Sequence, residues 1–234
     1  MSLDIPMPKQ VFGHPWLIMS DGKMSKSRGN VVYADDLVDE FGVDAVRYYF
    51  LHEIPFAADG IFTRDLLIER INGDLANILG NLVQRTISMG NKYFDGKVSN
   101  KKCAEDIDKE FIESINNLDS IVATKMDSLQ ISDALTEIFN VLRLSNKYID
   151  ETTPWILAKE ESKKDRLETV IYNLLESIRV CAVMLNPFLT KTSEEILKQI
   201  NITDDSVKYN QRNKYELSKP TPIFMRIDTN KKED

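Results

Sequence analysis

Apolar residues recur at helical spacing over most of the chain from Thr63 onward, and this periodicity predicts a bundle of amphipathic helices. Gly96 and the polar residues 97–102 end the first long helix. Its apolar row consists of Ile68, Ile71, Leu75, Ile78, Leu82, Met89 and Tyr93. Because each such helix has a single apolar stripe, the helices are expected to pack against one another.

Start and stop signals divide the remainder of the bundle. Thr153 and Pro154 form an N-cap and first-turn pair for a short fourth helix. Thr192 with Glu195 reads as a capping box that begins the last helix, and Asn186-Pro187 stops the helix before it. The other apolar rows predict helices over 107–129, 131–149 and 167–185.

The pattern before Thr63 is mixed. Residues 11–19 are apolar and β-rich, which predicts a strand leading into a loop at 20–30, and residues 31–33 predict a second short strand. Helices follow from Ala34 to a stop at Gly42 and over 44–51, and residues 54–60 read as an irregular link. The segment 201–234 is polar, and its apolar island at 222–227 is predicted to dock back on the protein.

Composition places the chain among ordinary globular proteins. Of 234 residues, 42% are hydrophobic and 29% charged, which suffices for one large domain or two small ones. There is no apolar run long enough to span a bilayer, no signal peptide and no metal-ligand spacing, so we expect no metal site. Cys181 lies in an apolar helical row and is expected to be buried, whereas Cys103 is expected to be exposed. These features predict a cytoplasmic, reduced setting.

Net charge restricts the possible partners. At −7, it argues against non-specific binding of polyanions and in favour of a small, shaped contact with any RNA.

Residues Lys23-Met24-Ser25-Lys26-Ser27 form the most informative motif, and we call them the phosphate loop. Glycines lie on both sides, at Gly22 and Gly29. Two ammonium groups, two hydroxyls and glycine-loosened backbone amides can clamp a polyphosphate. The alternative reading is a solvated basic turn.

The phosphate loop resembles the second signature of class I aminoacyl-tRNA synthetases letter for letter. The resemblance implies binding of ATP, with Mg²⁺, in a complete enzyme. It gives Lys23 and Lys26 a catalytic role, since they would neutralise the leaving pyrophosphate, and makes Met24, Ser25 and Ser27 part of the ATP site, with Gly22 and Gly29 as hinges.

The first signature of that class, a His-Ile-Gly-His-like tetrapeptide, is missing. The two histidines of the chain, His14 and His52, are not followed by that pattern. We therefore expect the chain to be a C-terminal part of a synthetase that begins just upstream of the phosphate loop. We further expect it to be inactive alone and to bind no cofactor by itself.

A second set of polar residues lies in the helical region. Asn81 and Arg85 are four positions apart and so share a helix face, and Asn77 extends the same row. Trp155 opens the short fourth helix after Pro154. Taken singly, these residues also fit a solvated polar stripe and a core-filling tryptophan.

Read together, Asn-x-x-x-Arg on the first bundle helix and Pro-Trp opening a later helix resemble methionyl-tRNA synthetase. The resemblance implies that Asn81, Arg85 and Trp155 bind the CAU anticodon of methionine tRNA, and that the region before the bundle contacts the inner corner of the tRNA stem. The implied partners are that tRNA and the upstream catalytic domain of the same protein, without a membrane, for a monomeric fragment. Two alternatives remain: another class I synthetase, such as that for cysteine, leucine, isoleucine or valine, and a free-standing helical RNA-binding or scaffold protein.

These observations predict a mainly α fold. Residues 1–62 would be a remnant of a catalytic domain with the phosphate loop and a small α/β connector. Residues 63–228 would form an anticodon-binding helical bundle, and residues 229–234 a frayed tail.

Overall fold

The computed structural model describes residues 6–20, 22, 24–25, 29, 31–54 and 58–229, and over these ranges the chain is mainly α-helical, as the sequence predicts. Short strands lie in the N-terminal region, after the first long helical segment and near the end of the described chain. The core lies between the long helices of the bundle and continues under the first two helices.

The N-terminal region combines two short strands with two helices. Strand β1 (Leu17–Met19) pairs in parallel with β2 (Gly60–Phe62), Leu17 lying opposite Gly60. Helices α1 (Ala34–Phe41) and α2 (Val43–Glu53) lie between the strands in sequence and meet at Gly42, whose φ of +83° suits glycine. Both helices and the stop at Gly42 confirm the sequence prediction.

The strand predictions for this region were partly wrong. Residues 11–16 are not in a strand, because β2 is only three residues long and pairs only with the end of the predicted segment. Residues 31–33 are also not a strand, and they lead directly into α1. Of the predicted irregular link at 54–60, Gly60 belongs to β2, and residues 55–57 lie outside the described part of the chain.

One long helical segment begins the bundle. It consists of α3 (Arg64–Arg70), a π-helical stretch (Ile71–Gly80) and α4 (Asn81–Phe94). The Oγ1 of Thr63 accepts a hydrogen bond from the Leu66 N–H at 3.2 Å and so caps the first turn. The sequence predicted a single regular helix here and did not reveal the π-helical stretch, whose apolar residues are spaced as in an α-helix.

Four further long helices complete the bundle: α5 (Asp106–Asp127), α6 (Ile131–Thr152), α8 (Lys164–Leu185) and α9 (Thr190–Gln199). The short α7 (Pro154–Leu157) and a 3₁₀ turn (Glu161–Lys163) connect α6 to α8. Helix α8 is the central helix, since it packs against α4, α6 and α9 and is buried along almost its whole length. Cys181 on α8 is buried and Cys103 is exposed, as predicted.

The two predicted helix caps differ from the structure. Thr153 precedes α7, but its side chain makes no cap hydrogen bond, and its backbone is left-handed with φ 44° and ψ 60°. Helix α9 begins two residues before Thr192, so Thr192 and Glu195 form no capping box. Instead the Thr192 N–H donates to the Asp44 carboxylate at 2.6 Å, so α2 supplies the cap that the local sequence does not.

A polar cluster is buried between α5, α6 and α8. The Asp108 carboxylate accepts hydrogen bonds from Arg166 Nη1 at 2.6 Å, Arg166 Nη2 at 2.8 Å and the Tyr148 hydroxyl at 2.6 Å. Asn173 Nδ2 donates to the Tyr148 oxygen at 3.1 Å. Burial by itself would raise the pKa of Asp108, but the hydrogen bonds from Arg166 and Tyr148 outweigh burial and hold that pKa below its usual range.

The C-terminal segment returns across the bundle, as the apolar island predicted. The Asn72 side chain exchanges two hydrogen bonds with the backbone of Ile227, at 2.9 and 2.7 Å, and Ile223 and Phe224 pack against the core. Strand β4 (Lys214–Glu216) pairs antiparallel with β3 (Lys97–Ser99), which the sequence had shown only as a polar stretch. Most of the predicted frayed tail, residues 230–234, lies outside the described residues.

Long-range contacts join α2 to the bundle. The Arg47 guanidinium donates to the backbone carbonyls of Phe188 at 2.7 Å and Pro187 at 2.8 Å, beside the Asp44–Thr192 contact. These hydrogen bonds join residues on both sides of the predicted boundary at residue 62. The division of the chain into two parts at that residue stays a prediction.

Candidate nucleic-acid interface

The three helical residues singled out from the sequence line one surface cleft between α4 and α7, which we call the α4–α7 cleft. Its volume is about 470 Å³, within the ~300–1,000 Å³ typical of ligand sites. Its lining consists of Asn81, Gln84, Arg85, Ser88, Met89, Lys92, Tyr93 and Trp155.

Helix α4 supplies the floor of the cleft because its opposite face is fixed in the core. Leu82, Val83 and Ile87 are fully buried, so the residues between them at three- and four-residue spacing are turned outward. Asn81 is the first residue of α4 and follows the π-helical stretch directly. Stretches of π-helix occur frequently at functional sites.

Trp155 forms the wall of the cleft on α7. Its side chain is 44% exposed, which excludes the core-filling interpretation, while Pro154 beside it is buried and anchors the turn. The left-handed backbone of Thr153 ends α6 and redirects the chain into α7. An aromatic ring that is held at its base and open on the surface is suited to stacking on a planar group.

Arg85 pairs with the Asp150 carboxylate. Its Nη2 lies 3.5 Å from Asp150 Oδ1 near the end of α6, and the two side chains are 34% and 67% exposed. At that exposure the ion pair is weak, about 0–1 kcal/mol, so the guanidinium remains available to a ligand in the cleft.

Asn77 is not part of this cleft. It is exposed and lines a separate cleft with Glu69, Asn72 and Arg226. Asn77 therefore does not extend the lining of the α4–α7 cleft, and it lies within the π-helical stretch, which does not keep the α-helical repeat on which the predicted row from Asn77 to Arg85 was based.

Sequence reasoning missed five residues of the cleft lining. Gln84, Ser88 and Lys92 follow Asn81 and Arg85 at helical spacing, so the signal was available, and Met89 and Tyr93 had been counted in the apolar row. The Lys92 ammonium lies 5.2 Å from the centre of the Tyr93 ring, a cation–π arrangement.

The phosphate loop is only partly described. Lys23, Lys26 and Ser27 lie outside the described residues, so their roles stay predictions. Gly22 and Gly29 have φ values of +110° and +70°, and Met19 and Gly22 exchange backbone hydrogen bonds at 2.8 and 2.9 Å. The loop therefore leaves β1 through a tight backbone turn that glycine allows.

The described part of the chain offers neither a metal site nor a membrane-spanning helix. Within the described ranges, no cluster of three or more His, Cys, Asp or Glu side chains has the geometry to hold a metal ion. The helices in those same ranges are too short or too polar to cross a membrane.

Comparison with known proteins shows the class of protein to which the chain belongs. Residues 108–228 match the anticodon-binding domain of tRNA ligase, and residues 1–87 match the tRNA synthetases class I (M). The chain belongs to the family of class I tRNA ligases with an anticodon-binding domain.

Its counterpart within that class is the C-terminal region of methionyl-tRNA synthetase. The chain is 51% identical to the methionine–tRNA ligase of Clostridium acetobutylicum and 48% identical to that of Caldanaerobacter subterraneus subsp. tengcongensis. In both comparisons 99% of this chain aligns with 37% of the relative, so the chain spans little more than a third of their length.

Solved structures of a methionyl-tRNA synthetase have a region with the same fold as this chain. The chain superposes with a TM-score of 0.88 and 34% identity on Mycobacterium tuberculosis methionyl-tRNA synthetase in complex with methionyl-adenylate, over 95% of this chain and 45% of that one. The apo form of the same synthetase gives a TM-score of 0.85 and 31% identity, over 96% of this chain and 45% of that one.

Proposed function

We propose that this chain is the tRNA-recognition part of a methionine–tRNA ligase, and that the α4–α7 cleft binds the CAU anticodon of methionine tRNA. The observation that carries the proposal is the meeting of Asn81, Arg85 and Trp155 in one open cleft. These three side chains supply an amide, a guanidinium and an indole, the chemistry needed to hold an unstacked base.

Each side chain has a distinct task in this proposal. Proteins recognise RNA loops by splaying bases out, stacking them on aromatic rings and hydrogen-bonding their exposed edges. Trp155 offers the stacking plane from the wall of the cleft. Asn81 offers both a donor and an acceptor, and Arg85 offers a planar fork of donors to a base edge.

In the complete enzyme, we propose that ATP and Mg²⁺ are used to form methionyl-adenylate before transfer of methionine to the tRNA. Lys23 and Lys26 would neutralise the charge that develops on the departing pyrophosphate, and Ser25 and Ser27 would help to hold it. Residues 1–62 would contact the inner corner of the tRNA stem, and the protein would work in the cytoplasm. This chain alone would act as a monomeric RNA-binding unit.

Titration with RNA stem-loops tests the anticodon proposal. The chain is titrated at one fixed salt concentration with a CAU stem-loop and with loops altered at each anticodon base, because salt alone changes such affinities strongly. We expect a preference for CAU. Trp155→Ala should weaken binding by about 1–3 kcal/mol, the usual contribution of one base stacked on an aromatic ring.

A matched control is available on the same short helix. Ile156 is 46% exposed, close to the 44% of Trp155, but it does not line the cleft. Ile156→Ala should therefore leave RNA affinity unchanged. Arg85→Ala should weaken binding by a similar amount to Trp155→Ala and should reduce discrimination at the base that Arg85 contacts.

The same titration separates the alternatives. Preference for a different anticodon would favour another class I synthetase, and equal binding of all loops would favour a free-standing RNA-binding module. Equal losses in Trp155→Ala and Ile156→Ala would contradict the stacking role.

A further inference from the structure

The α4–α7 cleft extends beyond the three residues that the proposed function uses. Lys92 and Tyr93 lie at the end of α4 away from Asn81, and both line the cleft. Arg85 and Lys92 are seven residues apart, about 10 Å along the helix axis at 1.5 Å per residue. Because stacked nucleotides are spaced by about 3.4 Å, the floor is longer than a single base requires.

Lys92 lines the α4–α7 cleft, and this sets it apart from other exposed lysines without an ion pair among the described residues, such as Lys97 and Lys191. Arg85 pairs with Asp150, and surface lysines such as Lys109 and Lys198 have carboxylate partners on their own helices. In the described part of the chain, no carboxylate lies within ion-pair distance of the Lys92 ammonium. That ammonium lies 5.2 Å from the centre of the Tyr93 ring. Lys92 therefore presents an uncompensated positive charge in a chain whose net charge is −7.

Tyr93 provides a fixed support beside that charge. Its ring is partly buried and packs against the core, so its position is set by the bundle rather than by solvent. Tyr93 lines the α4–α7 cleft and also a smaller cleft beside Phe94 and Leu157, and the Lys92 ammonium lies over its ring. A positive group combined with an aromatic plane is the usual arrangement for holding single-stranded nucleic acid without reading its sequence.

We propose that Lys92 and Tyr93 form a second subsite of the cleft, which holds the nucleotide next to those contacted by Asn81, Arg85 and Trp155. Lys92 binds the phosphate of that nucleotide, and the Tyr93 ring, which the ammonium then leaves, stacks against its base. The inference rests on the proposed function, since it takes the ligand to be an RNA loop. The subsite contributes affinity but no preference among anticodons, because phosphate and stacking contacts do not report base identity.

The lysine contact is tested by its dependence on salt. Lys92→Gln should lower affinity for CAU and altered stem-loops equally, by about fivefold at 0.1 M salt, and should reduce the slope of log affinity against log salt by about 0.7. The control is Lys198→Gln on α9, which removes the same charge from a side chain that is 79% exposed and outside the cleft. This control should change neither the affinity nor the slope.

The ring contact is tested with three substitutions at one position. Tyr93→Phe keeps the aromatic plane and should bind as the unaltered chain does, whereas Tyr93→Leu should weaken all loops by about fivefold or more. Because Tyr93 packs against the core, the thermal midpoint of each variant is measured. Tyr93→Trp keeps a stacking plane, so it should retain affinity for the stem-loops. This should hold even if it lowers the thermal midpoint as much as Tyr93→Leu does.

The outcomes distinguish the subsite from the function on which it rests. If Arg85→Ala and Trp155→Ala weaken binding but Lys92→Gln leaves affinity and slope unchanged, the subsite is refuted and the anticodon proposal stands. A change in anticodon preference in Lys92→Gln or Tyr93→Leu also refutes the subsite as described. Absence of binding by the unaltered chain refutes both.

Discussion

Replacement of Asp108 by asparagine tests the buried cluster that joins α5, α6 and α8. Asp108 and Arg166 side chains are 1% and 5% exposed, and the substitution leaves the guanidinium buried beside a neutral amide. Breaking a buried ion pair in this way costs about 3–5 kcal/mol. Glu105, which lies 3.3 Å from Arg166 Nε and is 62% exposed, compensates in part, so we expect about 3 kcal/mol.

That loss is large against the 5–15 kcal/mol that stabilises a typical domain. Circular dichroism monitors unfolding in urea, which gives the loss of free energy of unfolding. In a thermal melt monitored in the same way, the midpoint should fall by roughly 6–12 °C for a chain of this size. The control is Asp106→Asn, which removes an equivalent charge from a side chain that is 95% exposed on the same helix. It should change stability by less than about 0.5 kcal/mol.

The pH dependence gives a second test of the same cluster. The folded-state pKa of Asp108 is lowered, so its contribution to stability is present above the unfolded-state pKa of about 3.9 and is lost as pH falls through the folded-state pKa. The stability difference between the unaltered chain and Asp108→Asn should therefore narrow below about pH 4. A loss under 1 kcal/mol at pH 7, or a difference that stays constant into acid, would refute the reasoning.

Three further predictions concern other parts of the chain. Gly60→Ala should destabilise the protein by about 1–3 kcal/mol in urea melts, because the new methyl group would lie 2.6 Å from Ile54 Cγ2, whereas Gly73→Ala, which meets open space, should be neutral or slightly stabilising. Asp150→Asn should strengthen stem-loop binding by up to about fivefold, because it frees the Arg85 guanidinium and removes a negative charge near the cleft. Asp133→Asn, elsewhere on α6, should not, and equal effects in the two variants would contradict this. In the complete enzyme, Lys26→Ala should slow adenylate formation far more than it weakens ATP binding, as measured by pre-steady-state kinetics. A large loss of ATP affinity at an unchanged rate would argue against the proposed role of Lys26 in neutralising the leaving pyrophosphate. This chain alone should show only background ATP–pyrophosphate exchange.

The sequence predicted the parts of the fold that depend on local pattern. The long helices of the bundle, the stop at Gly42 and the docking of residues 222–227 follow from helical spacing, from a glycine that can adopt positive φ, and from an apolar island in a polar segment. The convergence of Asn81, Arg85 and Trp155 was also predicted, although family resemblance rather than spacing brought Trp155 into the set.

What the sequence did not predict depends on distant partners. The cap of α9 comes from Asp44, which is 148 residues away from Thr192 in sequence, so no local motif could reveal it. Strand β3 exists because β4 pairs with it, and its buried Val98 is a single apolar residue in an otherwise polar stretch. Lys92 and Tyr93 were assigned to a helix end and to an apolar row, since helical spacing does not show which partly buried residues border a cleft.

The long-range contacts of the N-terminal region have a consequence for synthesis of the protein. Asn72 completes its hydrogen bonds only with Ile227, 155 residues later, and Arg47 needs the carbonyl of Phe188, 141 residues later. At about 5–20 residues per second, a ribosome takes roughly 8–30 s to deliver Ile227 after Asn72. During that interval α2 lacks α9, and for the first part of it α6, against which it packs in the finished fold. The apolar face of α2, with Val46, Tyr48 and Tyr49, is therefore open to aggregation and to chaperone binding while translation continues.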